Sequence, residues 1–334
     1  MKFKKILCLI MVAMVSSLAL VGCTGNKSND AKNNDKVKVT MITGVGGIND
    51  RSFNQSSWEG LQKAKKDLGV EVGYIESNQD SEYTANIETA VDDGNDLIIG
   101  VGFKLKDAIL AAAKNYPEQK FAIVDADYGD KTPDNVTCIT FSEEQAGYVV
   151  GLVAGKMTKT NKVGFIGGIE GVVIKRFESG YKAGVKEANP NAKVIDQYAN
   201  TFTDSAKGKS IAQQMYSNGA DIIFSAAGDV GLGAIEVAKE QGKFAIGVDR
   251  DQNEVAPNTV ITSAMKKVNE GVYNTVKDLK DGKFDGGKVK VYGLENDAVG
   301  LAPTTDKNVP KEVIDYVNEQ VKKIVSGEVV VPKQ

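Results

Sequence analysis

The sequence predicts an α/β protein made of two similar lobes, each a parallel sheet layered with helices. Three observations carry that expectation. Strand-like runs alternate with stretches of helical spacing along most of the chain, the pattern of βαβ units. The series then occurs a second time with matching intervals between landmark residues. A glycine-rich stretch, Gly44 to Gly60 (GVGGINDRSFNQSSWEG), joins the first strand to the first helix, where open α/β sheets bind ligands.

The N-terminus stands apart. Lys2, Lys4 and Lys5 precede an apolar run from Ile6 to Val21 that ends Leu20-Val21-Gly22-Cys23. The run is short for a transmembrane helix and ends in small residues, so residues 1–22 read as an export signal. Leu-Val-Gly-Cys resembles a bacterial lipobox, which makes Cys23 the expected lipidation site; an ordinary secretory signal with a chance cysteine is the alternative. Multiple acyl chains would anchor the protein stably to the cell membrane on its extracytoplasmic face. Residues 24–36 (TGNKSNDAKNNDK) carry one alanine and no larger apolar side chain, so they are expected to be a flexible tether spanning on the order of 20 Å.

From Val37 the alternation is regular. Strands are expected at 37–43, 70–75, 96–101, 120–125 and 136–141, with helices near 52–68, 81–92 and 103–115 and a closing helix at 142–157. The first strand is rich in β-branched residues and ends at three glycines. Asn49, Asp50 and Ser52 then offer cap-type side chains before apolar spacing resumes at Trp58, Leu61, Ala64 and Leu68. The second series places strands at 162–167, 193–198, 221–226, 244–248 and 259–264, and helices near 173–188, 204–217 and 230–241. Gly94 to Asp125 spans 31 residues and Gly219 to Asp249 spans 30, each interval running from one strand through a helix to the end of the next. Phe53 and Phe177 are each followed by six residues and then Gly60 or Gly184.

This duplication bears on chemistry. An aromatic in the first turn of each lobe's first helix is either packed on its own sheet or offered to a ligand, and two of them facing across a cleft would sandwich a planar group. Asp125 and Asp249 each end a strand, where a carboxylate can accept hydrogen bonds from a purine edge or a ribose diol. A helix cap, or an ion pair with Arg250 or Arg176, is the alternative, and it is the preferred reading for Asp127 and Asp251. Gly228 to Gly233 (GDVGLG) is a poor dinucleotide fingerprint, lacking the first βα turn and the acidic residue that follow-on requires; it is better read as a turn whose N–H groups approach a ligand. A lysine of Thr262 to Lys267 could reach a ligand hydroxyl or simply be solvated.

Composition excludes several classes. With 42% hydrophobic and 25% charged residues the chain is globular in type. Removing Lys2, Lys4 and Lys5 from 41 basic side chains leaves 38 against 44 acidic, a balance that does not favour nucleic acid. Histidine is absent, which excludes Ser-His-Asp and Cys-His catalysis and His-containing metal sites. Cys138 is the one thiol beyond Cys23 and reads as a small buried residue of its strand. No cofactor or metal is expected.

The lipobox, Asp50-Arg51-Ser52-Phe53-Asn54 with Trp58-Glu59-Gly60, Gly100-Val101-Gly102-Phe103, Phe121 to Asp125, Arg176-Phe177 and Gly247-Val248-Asp249 together resemble the basic membrane protein family of substrate-binding lipoproteins, the purine nucleoside receptor A-like group. The resemblance implies the type I periplasmic-binding-protein fold, two Rossmann-like lobes with parallel sheets joined by a three-segment hinge. It divides the chain into an N-terminal lobe (37–141 plus about 260–290) and a C-terminal lobe (142–259 plus about 300–334), so that a helix at 266–281 returns to the first lobe and one at 310–327 finishes the second. It further implies a monomeric, non-enzymatic receptor that delivers purine nucleosides to an ABC transporter permease. Phe53 and Phe177 would stack the base, Asn49, Asp50 and Asp125 would bond polar groups, Asp249 and Lys266 would hold the ribose, and Asn54 and Gly228 would complete the site. Asn49 stands where the family motif often has a second aspartate. A sugar receptor of the same fold, a cell-surface nucleoside hydrolase using Asp125 or Asp249 as base, and a ligand sensor are the alternatives.

Overall fold

A parallel strand covered by helices on both faces buries every side chain, so its sequence is an unbroken apolar run rather than an alternation. β1 (Lys38–Ile42) approaches this, with Val39, Met41 and Ile42 buried around a buried Thr40 and Lys38 partly exposed at its start. The computed structural model describes residues 36–334, and the signal, Cys23 and nearly all of the tether lie outside them. The first series continues through α1 (Phe53–Leu68), β2 (Glu71–Ile75), α2 (Tyr83–Asp92), β3 (Leu97–Val101), α3 (Lys106–Asn115), β4 (Lys120–Val124) and β5 (Val136–Phe141). The second follows as α4 (Glu143–Met157), β6 (Lys162–Gly167), α5 (Val172–Ala188), β7 (Lys193–Tyr198), α6 (Ser205–Ser217), β8 (Ile222–Ala226), α7 (Asp229–Glu240), β9 (Phe244–Asp249) and β10 (Val260–Lys266). The chain ends with α8 (Val268–Lys280), β11 (Lys288–Tyr292), β12 (Val299–Leu301) and α9 (Lys311–Val325).

The duplication is explicit in the sheets. One has the order β11-β5-β4-β3-β1-β2 and the other β12-β10-β9-β8-β6-β7, so strand for strand the lobes share a topology. The pairings are parallel except for β12, which runs antiparallel to β10 with Ala264 opposite Leu301. Outer strands β2, β7 and β11 are only partly buried, as edge positions allow. Cys138 is buried within β5 and forms no disulfide among the described residues.

One expected boundary moves. The family resemblance places residues 260–266 with the N-terminal lobe, but β10 pairs with β9 in the second sheet, Ala264 lying beside Val248. The fifth strand of the second series therefore stays with its own repeat, and the chain crosses back only after Lys266. From there α8 packs on α1 and β11 joins β5 with Val289 beside Cys138, while β12 and α9 return to the second lobe. Two expected helices also begin with 3₁₀ turns, Asp80–Glu82 and Phe103–Leu105, before their α-helical bodies.

Helices α4 and α5 meet at backbone contact. A Cβ on Gly147 would lie 2.3 Å from the carbonyl oxygen of Phe177, one on Gly151 2.4 Å from that of Tyr181, and one on Gly184 2.2 Å from that of Tyr148. Glycine is required here for close approach, and the approach sets where Phe177 sits. Gly151→Ala is therefore expected to lower stability by about 1–3 kcal/mol through overpacking, read as a lower urea midpoint at an unchanged slope; an unchanged midpoint would mean that the two helices can part without cost.

Candidate functional site

The carboxyl ends of the two sheets meet, and the loops that leave them enclose a cavity of about 290 Å³. The first lobe supplies the turn after β1, the turn after β3 and Asp125; the second supplies the loops after β6, β7 and β8, the start of α5, the end of β9 and Lys266 at the end of β10. This is the sheet edge where α/β folds place ligands.

The start of α1 is organised by Asp50. Its carboxylate accepts the backbone N–H groups of Ser52 at 2.9 Å, Asn54 at 2.8 Å and Gln55 at 3.0 Å, satisfying donors that a helix start leaves without partners. Burial pushes the Asp50 carboxyl up to about 6 against the pull of these donors, with Asp249 adding to the rise. Asp50 lines the cavity, yet both of its oxygens are engaged in capping. Asn49 is exposed and outside the cavity wall, on the outer side of the same turn.

Asp125 and Asp249 occupy equivalent backbone conformations, with φ of 63° and 65°. The left-handed region is uncommon for any residue but glycine, and aspartate is among those that tolerate it. Both side chains are buried at the cavity, and between them lies the ammonium of Lys266, 2.5 Å from Asp125 Oδ2 and 3.6 Å from Asp249 Oδ1. Its Nζ is also 4.6 Å from the ring centroid of Phe53, 5.6 Å from that of Phe141 and 5.7 Å from that of Phe177. Burial works to lower the Lys266 pKa, but the Asp125 and Asp249 carboxylates outweigh it and hold the amine charged, above the ordinary lysine range. Ser52 Oγ donates to Asp249 Oδ2 at 2.5 Å, a second link across the lobes.

Among the described residues, two acceptors at the cavity have no partner: Asp125 Oδ1 and Asn54 Oδ1, both buried. Gly228 has φ 58° at the start of α7, where a Cβ would meet the Phe202 carbonyl oxygen at 2.9 Å; the glycine-rich turn thus forms part of the wall. Phe53 is half-buried. Phe177 is 1% exposed and packs edge-on against Phe224 at 5.9 Å, so it serves the core as well as the wall.

The structure also adds residues. Phe103 and Phe202, one from each lobe, meet edge to face at 6.3 Å on the cavity wall. Phe103 follows a strand end just as Phe53 does, and that position was the signal available; Phe202 follows an edge strand in a loop with no distinctive spacing. Neither of the paired aspartates bonds Arg250 or Arg176, which hold Glu59 and Glu143 instead; the ion partner of both is Lys266. Asp127 and Asp251 do cap local turns, accepting from Gly129 N–H and Asn253 N–H. Among the described residues no acidic cluster suits a metal ion, and no helix is long and apolar enough to cross a membrane.

A two-lobed chain with matched parallel sheets and a cavity between them defines a solute-binding protein of the type I periplasmic class. The comparisons with known proteins agree. A solved ABC transporter solute-binding protein from Aeropyrum pernix superposes with a TM-score of 0.82 at 27% identity, covering 89% of this chain and 94% of that one. Residues 36–334 match the family model of the PnrA-like ABC transporter substrate-binding proteins, and the chain belongs to that family. It is 43% identical to the CD4+ T-cell-stimulating antigen of Listeria innocua, covering 99% of each chain. It is 39% identical to the ABC transporter nucleoside-binding protein BmpA of Lactococcus lactis, again covering 99% of each.

Glu143, buried behind the site, makes the stability of the fold depend on pH. Burial, then repulsion from Asp125, raises its carboxyl from 4.5 to about 8. The folded state therefore holds a proton that the unfolded state has released, and stability falls as pH rises from about 4.5 to about 8. Glu143→Gln is expected to flatten the fall of the thermal midpoint across that window; a midpoint profile parallel to the wild type would contradict this.

Proposed function

We propose that the chain captures purine nucleosides in the interlobe cavity and delivers them to an ABC transporter permease, working as a monomer anchored through lipid on Cys23 at the extracytoplasmic face of the cell membrane. The observation that carries the reading is the pair of buried, unpartnered acceptors, Asp125 Oδ1 and Asn54 Oδ1, in a wall that also bears Phe53, Phe103, Phe177 and Phe202. An acceptor left without a donor in a buried site is costly, so the ligand must bring donors, and it must bring flat apolar surface as well. A nucleoside has both: hydroxyls and base N–H groups, and a heterocycle. The name of the Lactococcus relative supports the same ligand class.

In this reading Phe53 and Phe177 bound the base, Asn54 and Asp125 accept from it, and Asp249 with Lys266 holds the ribose. Asp50 acts by fixing the start of α1, and Gly228 by letting the α7 turn approach. Asn49, on the outer face of its turn, reaches the ligand only if that turn shifts. The ligand touches both lobes only when they are closed, so binding draws the hinge equilibrium toward the closed form and no bond is broken.

Calorimetric titration with nucleosides, free bases and sugars, together with a check of the recovered ligand, tests this. Purine nucleosides are expected to bind and be recovered intact. Phe53→Ala and Phe177→Ala are each expected to weaken binding by about 1 kcal/mol or more, the worth of one stacked face. Sugar binding without nucleoside binding would overturn the ligand class, and hydrolysed nucleoside would make the protein an enzyme.

A further inference from the structure

The lobes are also joined by contacts outside the cavity. Arg250 and Glu59 form a two-pronged ion pair between the second lobe and α1, with Nη2 to Oε1 at 2.7 Å and Nε to Oε2 at 3.3 Å. Neither residue lines the cavity. Gln55 Nε2 holds Glu59 Oε1 at 3.2 Å. Two residues along, Gln252 Nε2 donates to the Arg51 carbonyl at 3.1 Å, and Gln252 is itself fixed because its Oε1 accepts the Val248 N–H and its own N–H reaches Ser263 Oγ.

One backbone turn connects this seam to the site. The left-handed conformation of Asp249 returns the Arg250 N–H to the Val248 carbonyl at 2.7 Å, so Asp249 faces the cavity while Arg250 reaches α1 of the other lobe. The equivalent turn at Asp125 is followed by buried Ala126, which has no such reach. The arrangement is one-sided despite the duplicated fold.

We propose that the Glu59–Arg250 pair is a closure latch, which sets affinity without touching the solute by stabilising the closed form and slowing release. The pair spans the two lobes, so a hinge motion that parts the 249–252 loop from α1 breaks it, and its free energy then favours the closed state. Charge-assisted and two-pronged, but partly exposed, it should slow release about threefold to tenfold. The inference rests on the reading of the chain as a receptor that closes, and is independent of the ligand being a nucleoside.

The test uses the purified chain, Glu59→Gln, Arg250→Gln, and the charge swap Glu59→Arg with Arg250→Glu. Release of inosine is followed by the fluorescence of Trp58, the chain's single tryptophan and the neighbour of Glu59. Each single variant is expected to speed release about threefold to tenfold with association changed less than twofold, and the swap to restore most of the loss. Unchanged release in both single variants, or a swap no better than either of them, would overturn the latch. Small-angle scattering of the ligand-free chain gives an independent reading. Both single variants should show a larger radius of gyration than the wild type, and equal radii would also overturn the proposal. If the wild type fails to respond to inosine, that counts against the nucleoside reading, and the scattering result decides the latch.

Discussion

The buried ammonium of Lys266 is the interaction on which the rest of the site depends. A charge taken out of water costs several kcal/mol unless it is paired and its surroundings are polarised in its favour. Here the pairing spans the cleft: Asp125 comes from the first lobe, while Asp249 and Lys266 itself come from the second. Three phenyl rings complete the enclosure, and ring faces attract cations. The left-handed turns at Asp125 and Asp249 carry both carboxylates to this cation. Strain of that kind persists where surrounding structure over-determines it, as the matched strand ends do here.

That cation does not satisfy the whole site. Asp125 spends one oxygen on Lys266 and keeps the other free, and Asn54 is held in place by the helix that Asp50 caps while its carbonyl oxygen goes unpaired. With the lobes together these groups are already in place for a ligand's donors, which lowers the cost of ordering the site itself on binding. Around it lie close-packed supports: the glycine faces of α4 and α5 fix Phe177, and the Glu59–Arg250 seam holds the lobes together from outside. Fold, charge and ligand recognition thus converge on the short segments that leave the strand ends.

Much of this was legible in the sequence because it follows from periodicity. Alternating elements and the repeated intervals to Asp125 and Asp249 survive as geometry, whereas the paired phenylalanines are unlike: Phe53 opens α1 and is half-buried, while Phe177 lies in the second turn of α5 and is buried against Phe224. Lys266 stood out only as one of two lysines after a strand; its burial depends on the opposing lobe. Other features depend on tertiary context that spacing does not encode. Asp50 and Asn49 are neighbours in a turn, and only the helix that follows decides which of them faces inward. The place of β10 is settled by its pairing with β9, which kept it in the second lobe against the expected boundary near 260. Phe202 reaches the cavity from a loop after an edge strand, and the contact of Arg250 with Glu59 joins residues 191 positions apart.

The most direct measurement of the central claim is a crystal structure of the chain grown with guanosine, inspected at the two unpartnered acceptors. The account predicts the nucleoside between the lobes, its heterocycle against Phe53, with ligand donors within hydrogen-bond distance of Asp125 Oδ1 and Asn54 Oδ1 and Lys266 still bound to Asp125. A nucleoside seated elsewhere, or one seated in the cavity while both acceptors stay without a partner, would contradict it.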